Sequence, residues 1–280
     1  MGEVKLSDDG WSSGPLAWSP DGTKFAYTSS RSIVLRNADG STVSTLLSAP
    51  NIPPSGYGIY RTTMQPHWSP DGTKIVFSSN WQDEERNGPN YDIYILELDS
   101  NFTGVYDPNS AAFNERITRL TTDGSKDMFP TWSPDGTKIA FSAGGVLTVM
   151  NADGSNVTSL DASVYTPGCC GAHGNLQLGG GIAWSPDGTR IAYPSAENGK
   201  GLYVINSDAT GKTQLTNIDG SNSYGGYQPD WSPDGTKIVY VWGQNQSMYI
   251  MDADGSNQTR LTGTGDMNGN GTFTWPEWKP

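Results

Sequence analysis

The chain has 280 residues, 34% of them apolar, with 10 Trp, 13 Tyr and a formal net charge of −12. That aromatic content excludes a disordered chain, and the acid excess, with no basic cluster against it, excludes a phosphate backbone as partner. No apolar run spans a bilayer and Met1–Gly10 has no signal-peptide core, so we expect a soluble chain without membrane insertion, mature or excised from a longer precursor.

The first predicted element is a short strand, "EVKLS" (Glu3–Ser7). A strand ending at Trp18 follows, and Trp18 opens the heptad "WSPDGTK". The heptad returns letter for letter at Trp68, Trp132 and Trp231, and as "WSPDGTR" at Trp184. Each copy leads into an alternating stretch ("KFAYTSS", "KIVFSSN", "KIAFSAG", "RIAYPSA", "KIVYVWG"). Such alternation predicts a half-buried β-strand. A second strand comes next ("SIVLRNADG", "DIYILELDS", "VLTVMNADG", "GLYVINSDA", "MYIMDADG"), then a shorter outer one ("STVSTLL", "RITRLT", "NVTSL", "KTQLT", "NQTRLT"). The Asp-Gly pairs fall between strands, where tight hairpins need the backbone angles that Asn, Asp and Gly tolerate. No segment keeps a helical period for three turns.

Four antiparallel strands every ~40–50 residues make a propeller blade. The expected fold is all-β: one propeller domain over residues 1–280, with repeats beginning near Trp18, Trp68, Trp132, Trp184 and Trp231. Partial repeat strands lie at 3–17 and 272–280, the latter ending at a broken sixth copy, Trp278. The middle strands occur five times but the inner and outer types six times. Five complete blades are therefore favoured, with a six-bladed ring holding an incomplete or swapped sixth blade as the alternative. The surplus ends would close the ring or pair with a second molecule as a strand-exchanged oligomer. Each Trp is expected to fill the wedge between blades, and the heptad Asp residues to serve as turn formers.

The pattern P-x-WSPDGTKIxF…IYxMNADGSNxTRLT, as at Pro66–Phe77 and Met248–Thr262, resembles the TolB-like propeller family, relatives of Trp-Asp-repeat propellers. The resemblance covers nearly the whole chain. It implies periplasmic or secreted bacterial proteins that bind or assemble, or propeller domains attached to peptidases and polysaccharide-degrading enzymes.

Binding residues concentrate on variable loops held by a rigid scaffold, so the face opposite the repeated hairpins is the expected recognition surface. Its rings and one cation are the candidates for ligand contact: Tyr57, Tyr60 and Arg61 in the Ser48–His67 connection, Trp81, Tyr165, Tyr224, Tyr227 and Trp242. Aromatic faces stack on pyranoses, which makes a glycan one expected ligand; packing of each ring on its own loop is the alternative. Cys169 and Cys170, the only cysteines, are adjacent and flanked by glycine. A vicinal disulfide is expected in an oxidising compartment, against two reduced thiols. With only His67 and His173, a multi-histidine metal centre is disfavoured, and no metal or cofactor is expected. His67 immediately precedes Trp68 on an inner strand. It shares that register with Ala17, Thr131, Ala183, Asp230 and Glu277, so His67, Asp230 and Glu277 form the expected polar set in the channel.

Three functions fit. One is a non-catalytic binding or scaffold propeller recognising a protein or carbohydrate. Another is a glycan lyase or hydrolase using carboxylates at the channel mouth. The third is a recently amplified or engineered propeller without a dedicated ligand. The scarcity of histidines weighs toward binding.

Overall fold

The computed structural model describes residues 16–29, 31–47, 62–81, 90–98, 115–162, 164, 181–195, 197, 201–216, 227–242, 247–261 and 278. Among them every regular element is a strand, and the twenty strands form five four-stranded antiparallel sheets in sequential order. Blade 1 holds β1 (Ala17–Trp18), β2 (Lys24–Ser29), β3 (Ser32–Asn37) and β4 (Thr42–Leu47). Blade 2 holds β5 (Thr63–Trp68), β6 (Lys74–Ser79), β7 (Asp92–Glu97) and β8 (Ile117–Arg119). In blade 3 come β9 (Asp127–Trp132), β10 (Lys138–Ala143), β11 (Val146–Asn151) and β12 (Thr158–Asp161). Blade 4 consists of β13 (Ala183–Trp184), β14 (Arg190–Ser195), β15 (Gly201–Asn206) and β16 (Thr213–Gln214). Blade 5 consists of β17 (Tyr227–Trp231), β18 (Lys237–Trp242), β19 (Ser247–Asp252) and β20 (Thr259–Arg260). The protein is a five-bladed β-propeller.

The heptad makes the hairpin between the first two strands of every blade. Asp135 Oδ1 accepts from Ser133 Oγ at 2.6 Å, Thr137 N at 3.0 Å and Thr137 Oγ1 at 2.9 Å. Ser133 Oγ also accepts from Lys138 N at 2.9 Å, and Gly136 takes φ 70°, which a side chain would resist. The same bonds recur around Asp21, Asp71, Asp187 and Asp234, and they hold the Asp21 and Asp234 carboxyls down near about 2. These aspartates are turn formers, as their spacing implied.

The second strands differ from the expectation of one buried face. Ile139, Ala140 and Phe141 of β10 are all buried, as are Ile75, Val76 and Phe77 of β6. A blade between two neighbours loses solvent from both faces, so alternation of side chains no longer means alternation of burial. The outer strands, such as β8 and β12, stay partly exposed, and so do the third strands β3 and β19 of blades 1 and 5. Cross-strand rings stack in register, Phe77 on Tyr94 and Tyr240 on Tyr249, each with centroids 5.7 Å apart.

The heptad Trp of blades 2 to 5 packs against the preceding blade, Trp184 with Leu147 and Val149 of β11. Trp68 lies with Ile33 and Leu35 of β3, Trp132 with Ile93 and Ile95 of β7, and Trp231 with Leu202 and Val204 of β15. The heptad proline completes the joint. Pro20 faces Gly72 of blade 2, and Pro70 faces Gly136, Pro134 faces Gly188 and Pro186 faces Gly235 in turn. A Cβ on any of these glycines would sit 3.7 or 3.8 Å from the proline ring. The repeated letters are thus inter-blade contacts as much as turns.

Both repeated hairpins, SPDG and NADG, end on one side of the disc: Lys24 pairs with Asn37 and Lys138 with Asn151. The connections between second and third strands, and those between blades, leave from the opposite side. The division into a hairpin face and a variable-loop face follows from this register.

Candidate functional site

The inner strands of all five blades surround a cavity of 310 Å³ on the axis. Its wall runs from Gln65, Phe129, Gly181 and Gln228 at mid-depth to Pro20, Pro70 and Pro134 on the hairpin face. In blades 2, 3 and 5 the inner strand reads "QPHW", "FPTW" and "QPDW". There the residue before proline takes positive φ: 57° at Gln65, 59° at Phe129 and 56° at Gln228. The ladder slips at each of these points, between Met64 and His67, opposite Ala140–Ser142, and between Tyr227 and Asp230. Proline cannot donate to the ladder, so a bulge forms and re-aims the neighbouring side chains.

The bulges are held by side chains reaching across blades. Gln65 Oε1 accepts from Phe129 N of blade 3 at 2.8 Å and from Ser78 Oγ at 3.1 Å. A Cβ at Gly181 would come within 2.8 Å of Gln228 Cα, so blade 4 needs glycine where blade 5 bulges. Gln228 is 4% exposed, and its Nε2 is buried without a hydrogen-bond partner among the described residues.

His67 and Asp230 both line this cavity; Glu277 lies outside the described residues. His67 Nδ1 is 3.1 Å from the Trp68 carbonyl oxygen, which only an N–H can satisfy, so Nε2 is the bare nitrogen facing Thr131 Oγ1 at 3.3 Å. Burial lowers the His67 pKa to about 4, leaving the ring neutral at pH 7. Asp230 Oδ2 accepts from the backbone N–H of Trp278 at 2.6 Å, which seats the sixth Trp beside blade 5. Burial outweighs that bond and the one from Trp231 N–H, and raises the Asp230 pKa to about 7. Gln65 and Gln228, absent from the candidates drawn from sequence, carried a legible signal: glutamine before proline in the same register of two repeats.

The variable-loop candidates are less visible. Tyr57, Tyr60, Arg61, Tyr165, Tyr224, Cys169 and Cys170 lie outside the described residues. Tyr227 opens β17 and Trp242 closes β18, at the loop end of blade 5; their side chains also lie outside the described set. Trp81 is buried, edge-on to Phe77 and Tyr94 with centroids 6.3 and 6.4 Å apart. Its ring packs onto blade 2.

Two charged clusters sit on or near this face. At the joint of blades 2 and 3, Arg119 Nη2 meets the fully buried Asp92 at 2.8 Å. Asp127 nearby accepts from Ser125 Oγ at 2.5 Å and has its pKa raised to about 6, chiefly by burial. At the joint of blades 3 and 4, Lys212 Nζ lies 2.8 Å from Asp161, and also pairs with Glu197. Tyr193 donates its hydroxyl to the same Asp161. Among the described residues no three His, Cys, Asp or Glu side chains are grouped to hold a metal ion, and no helix is long and apolar enough to cross a membrane.

Five sheets around an axial cavity define the class, a β-propeller, and comparison with known proteins narrows it. A family model described as the dipeptidyl peptidase IV N-terminal region matches residues 69–198. The Tol-Pal system protein TolB of Geobacter metallireducens is 45% identical over 93 residues, which cover 33% of this chain and 20% of that protein. Among solved structures, TolB from Agrobacterium tumefaciens matches with a TM-score of 0.61 at 20% identity, over 89% of this chain and 80% of the other. TolB from Acinetobacter baumannii matches with 0.57 at 21% identity, over 88% and 53%. An oligogalacturonate lyase in complex with manganese matches with 0.54 at 15% identity, over 87% and 62%, a likeness of fold alone. The chain is a five-bladed β-propeller with local sequence similarity to one TolB and a fold like that of two TolB structures.

Proposed function

We propose that the protein is a non-catalytic binding propeller that engages a protein partner through its variable-loop face, in the bacterial periplasm or after secretion. The observation carrying this reading is the contrast between faces. Hairpins of the heptad type repeat bond for bond on one side, while unequal insertions leave from the other. A rigid scaffold with one face free to vary is the arrangement that recognition uses. The similarity to a Tol-Pal system protein supports a protein rather than a glycan as partner.

The test is in-cell crosslinking followed by calorimetry with the purified captured protein. Tyr57→Ala, Tyr60→Ala and Arg61→Ala, combined, weaken that binding by about tenfold or more, whereas Asp153→Asn on the hairpin face leaves it unchanged. Equal effects from both variants remove the face assignment. The glycan and enzyme readings enter as alternatives with their own readout: specific binding on a glycan array favours a carbohydrate ligand. Reducing-sugar release from polysaccharides, lost in Asp230→Asn or Glu277→Gln, replaces binding by catalysis.

A further inference from the structure

Hydrogen bonds left unmade around the axial cavity say what it is built to hold. Among its described lining residues, Gln228 Nε2 and the indole N–H groups of Trp68, Trp132 and Trp184 are buried without a partner. Gln65 commits its Oε1 to Phe129 N and Ser78 Oγ, which leaves the protons of its own carboxamide nitrogen unused. Every one of these groups is a donor. A buried donor without an acceptor is costly, so an occupant of this cavity brings acceptors.

The charges say which acceptors. The described lining holds no Lys or Arg, its one carboxyl group is Asp230, and the chain carries a net charge of −12. An anion would enter with nothing to balance it. The occupant is therefore uncharged. It must also donate. The Thr131 hydroxyl proton goes to His67 Nε2, so the Thr131 oxygen accepts, and Asp230 has lone pairs beyond the one that takes Trp278 N–H. A hydroxyl group does both. The wall supplies the rest, with the half-exposed Trp18 ring and Pro20, Pro70 and Pro134 offering flat apolar surface beside the polar groups. A volume of 310 Å³ lies at the small end of ligand sites, which run from about 300 to 1,000 Å³. A bare divalent ion fits poorly, since it asks for about six or more oxygens and several carboxylates.

We propose that the cavity binds a single uncharged sugar ring, with Gln65 and Gln228 donating to its hydroxyls, Asp230 and Thr131 accepting from them, and Trp18 against its apolar face. The site lies on the axis and opens on the hairpin face. It is apart from the variable-loop surface assigned to a protein partner, and neither reading depends on the other.

The probes are the methyl pyranosides of glucose, galactose and mannose, each titrated into isotope-labelled protein while the side-chain amide signals of Gln65 and Gln228 and the ring signals of His67 are followed. Glucitol, with hydroxyls but no ring, and methyl glucuronide, the same ring carrying a carboxylate, are the controls. At least one neutral pyranoside moves these signals and binds about fivefold or more tighter than both controls, a gap of about 1 kcal/mol. Gln228→Met keeps an unbranched side chain at the bulge φ of 56° and removes an unpartnered donor. It therefore spares the fold while weakening that pyranoside about fivefold. The proposal is overturned if no neutral pyranoside moves the signals of the unaltered protein, which leaves the cavity to water. It is overturned equally by a control that binds as tightly, or by a response that survives Gln228→Met undiminished. The first two results need no variant, so a poorly folded one rescues nothing. The Tyr57, Tyr60 and Arg61 changes leave the sugar response intact, so a failed partner capture and a failed sugar titration are separate results.

Discussion

Blades 2, 3 and 5 and blades 1 and 4 share a heptad but not an inner strand, and the difference builds the channel. Where the chain reads X-Pro-x-Trp, the inner strand runs five or six residues with a bulge inside it. Where it reads Leu16-Ala17-Trp18 or Ile182-Ala183-Trp184, the strand is two residues long and small apolar groups meet the axis. The bulged strands contribute all the polar side chains of the cavity. The proline of blades 2, 3 and 5, by forbidding a ladder bond, brings polar side chains to the axis that blades 1 and 4 lack. Near-identical repeats therefore need not give a symmetric interior.

The comparison breaks first at what all blades share. Trp231→Ala removes an indole wedged against blade 4 and lowers stability by about 3–5 kcal/mol, read by equilibrium urea unfolding. Trp18, half-exposed at the start of the described chain, costs clearly less when truncated, and an equal loss would remove the wedge explanation. Next come the bulges. Gln65→Leu strands the buried Phe129 N–H and costs about 1–3 kcal/mol, whereas Leu16→Ala, its counterpart beside the unbulged β1, removes no hydrogen bond. Thermal unfolding of the two variants side by side measures what the bulge needs.

Protonation sharpens the contrast further. The Asp230 pKa is raised to about 7 in the folded state, so the native protein holds a proton that the unfolded chain has released. Stability from this group therefore falls as pH rises from about 4 to 7. Asp230→Asn consequently stabilises at pH 8, on the order of 2 kcal/mol, and changes little at pH 4. His67 acts oppositely, with its pKa lowered to about 4. The unfolded chain takes up the proton first, so stability rises with pH between about 4 and 6.5, and His67→Gln flattens that slope. Paired melting curves across pH 4–8 check both signs. The smallest effect belongs to the hairpin face: Asp135→Ala loses the turn bonds from Ser133 and Thr137 and costs about 1 kcal/mol. The same change at Asp71 should match it, because the bonds are copies.

Much of this was legible in the residues. Repetition located all five heptad hairpins, and the register of "NADG" put both tight turns on one face. Alternation misled for β6 and β10, because a periodic pattern reports which way side chains point and not what lies beyond them. Trp81 shows the same limit: beside a polar loop the ring reads equally as exposed or as packed, and only the fold places Phe77 and Tyr94 against it. Gln65 and Gln228 went unread because their role depends on a neighbouring blade some sixty residues away in one case, at Phe129.

The letters alone settled the unit and its turns and favoured five copies over six, since tight hairpins and strand alternation are local consequences of backbone geometry. Only the tertiary arrangement decided burial on both faces of the blades between neighbours, the mating of proline to the next glycine, and the gathering of Gln228, Asp230, His67 and Thr131 round one cavity. Those are contacts between repeats, and the free energy of a contact belongs to two distant stretches of chain that no single stretch contains.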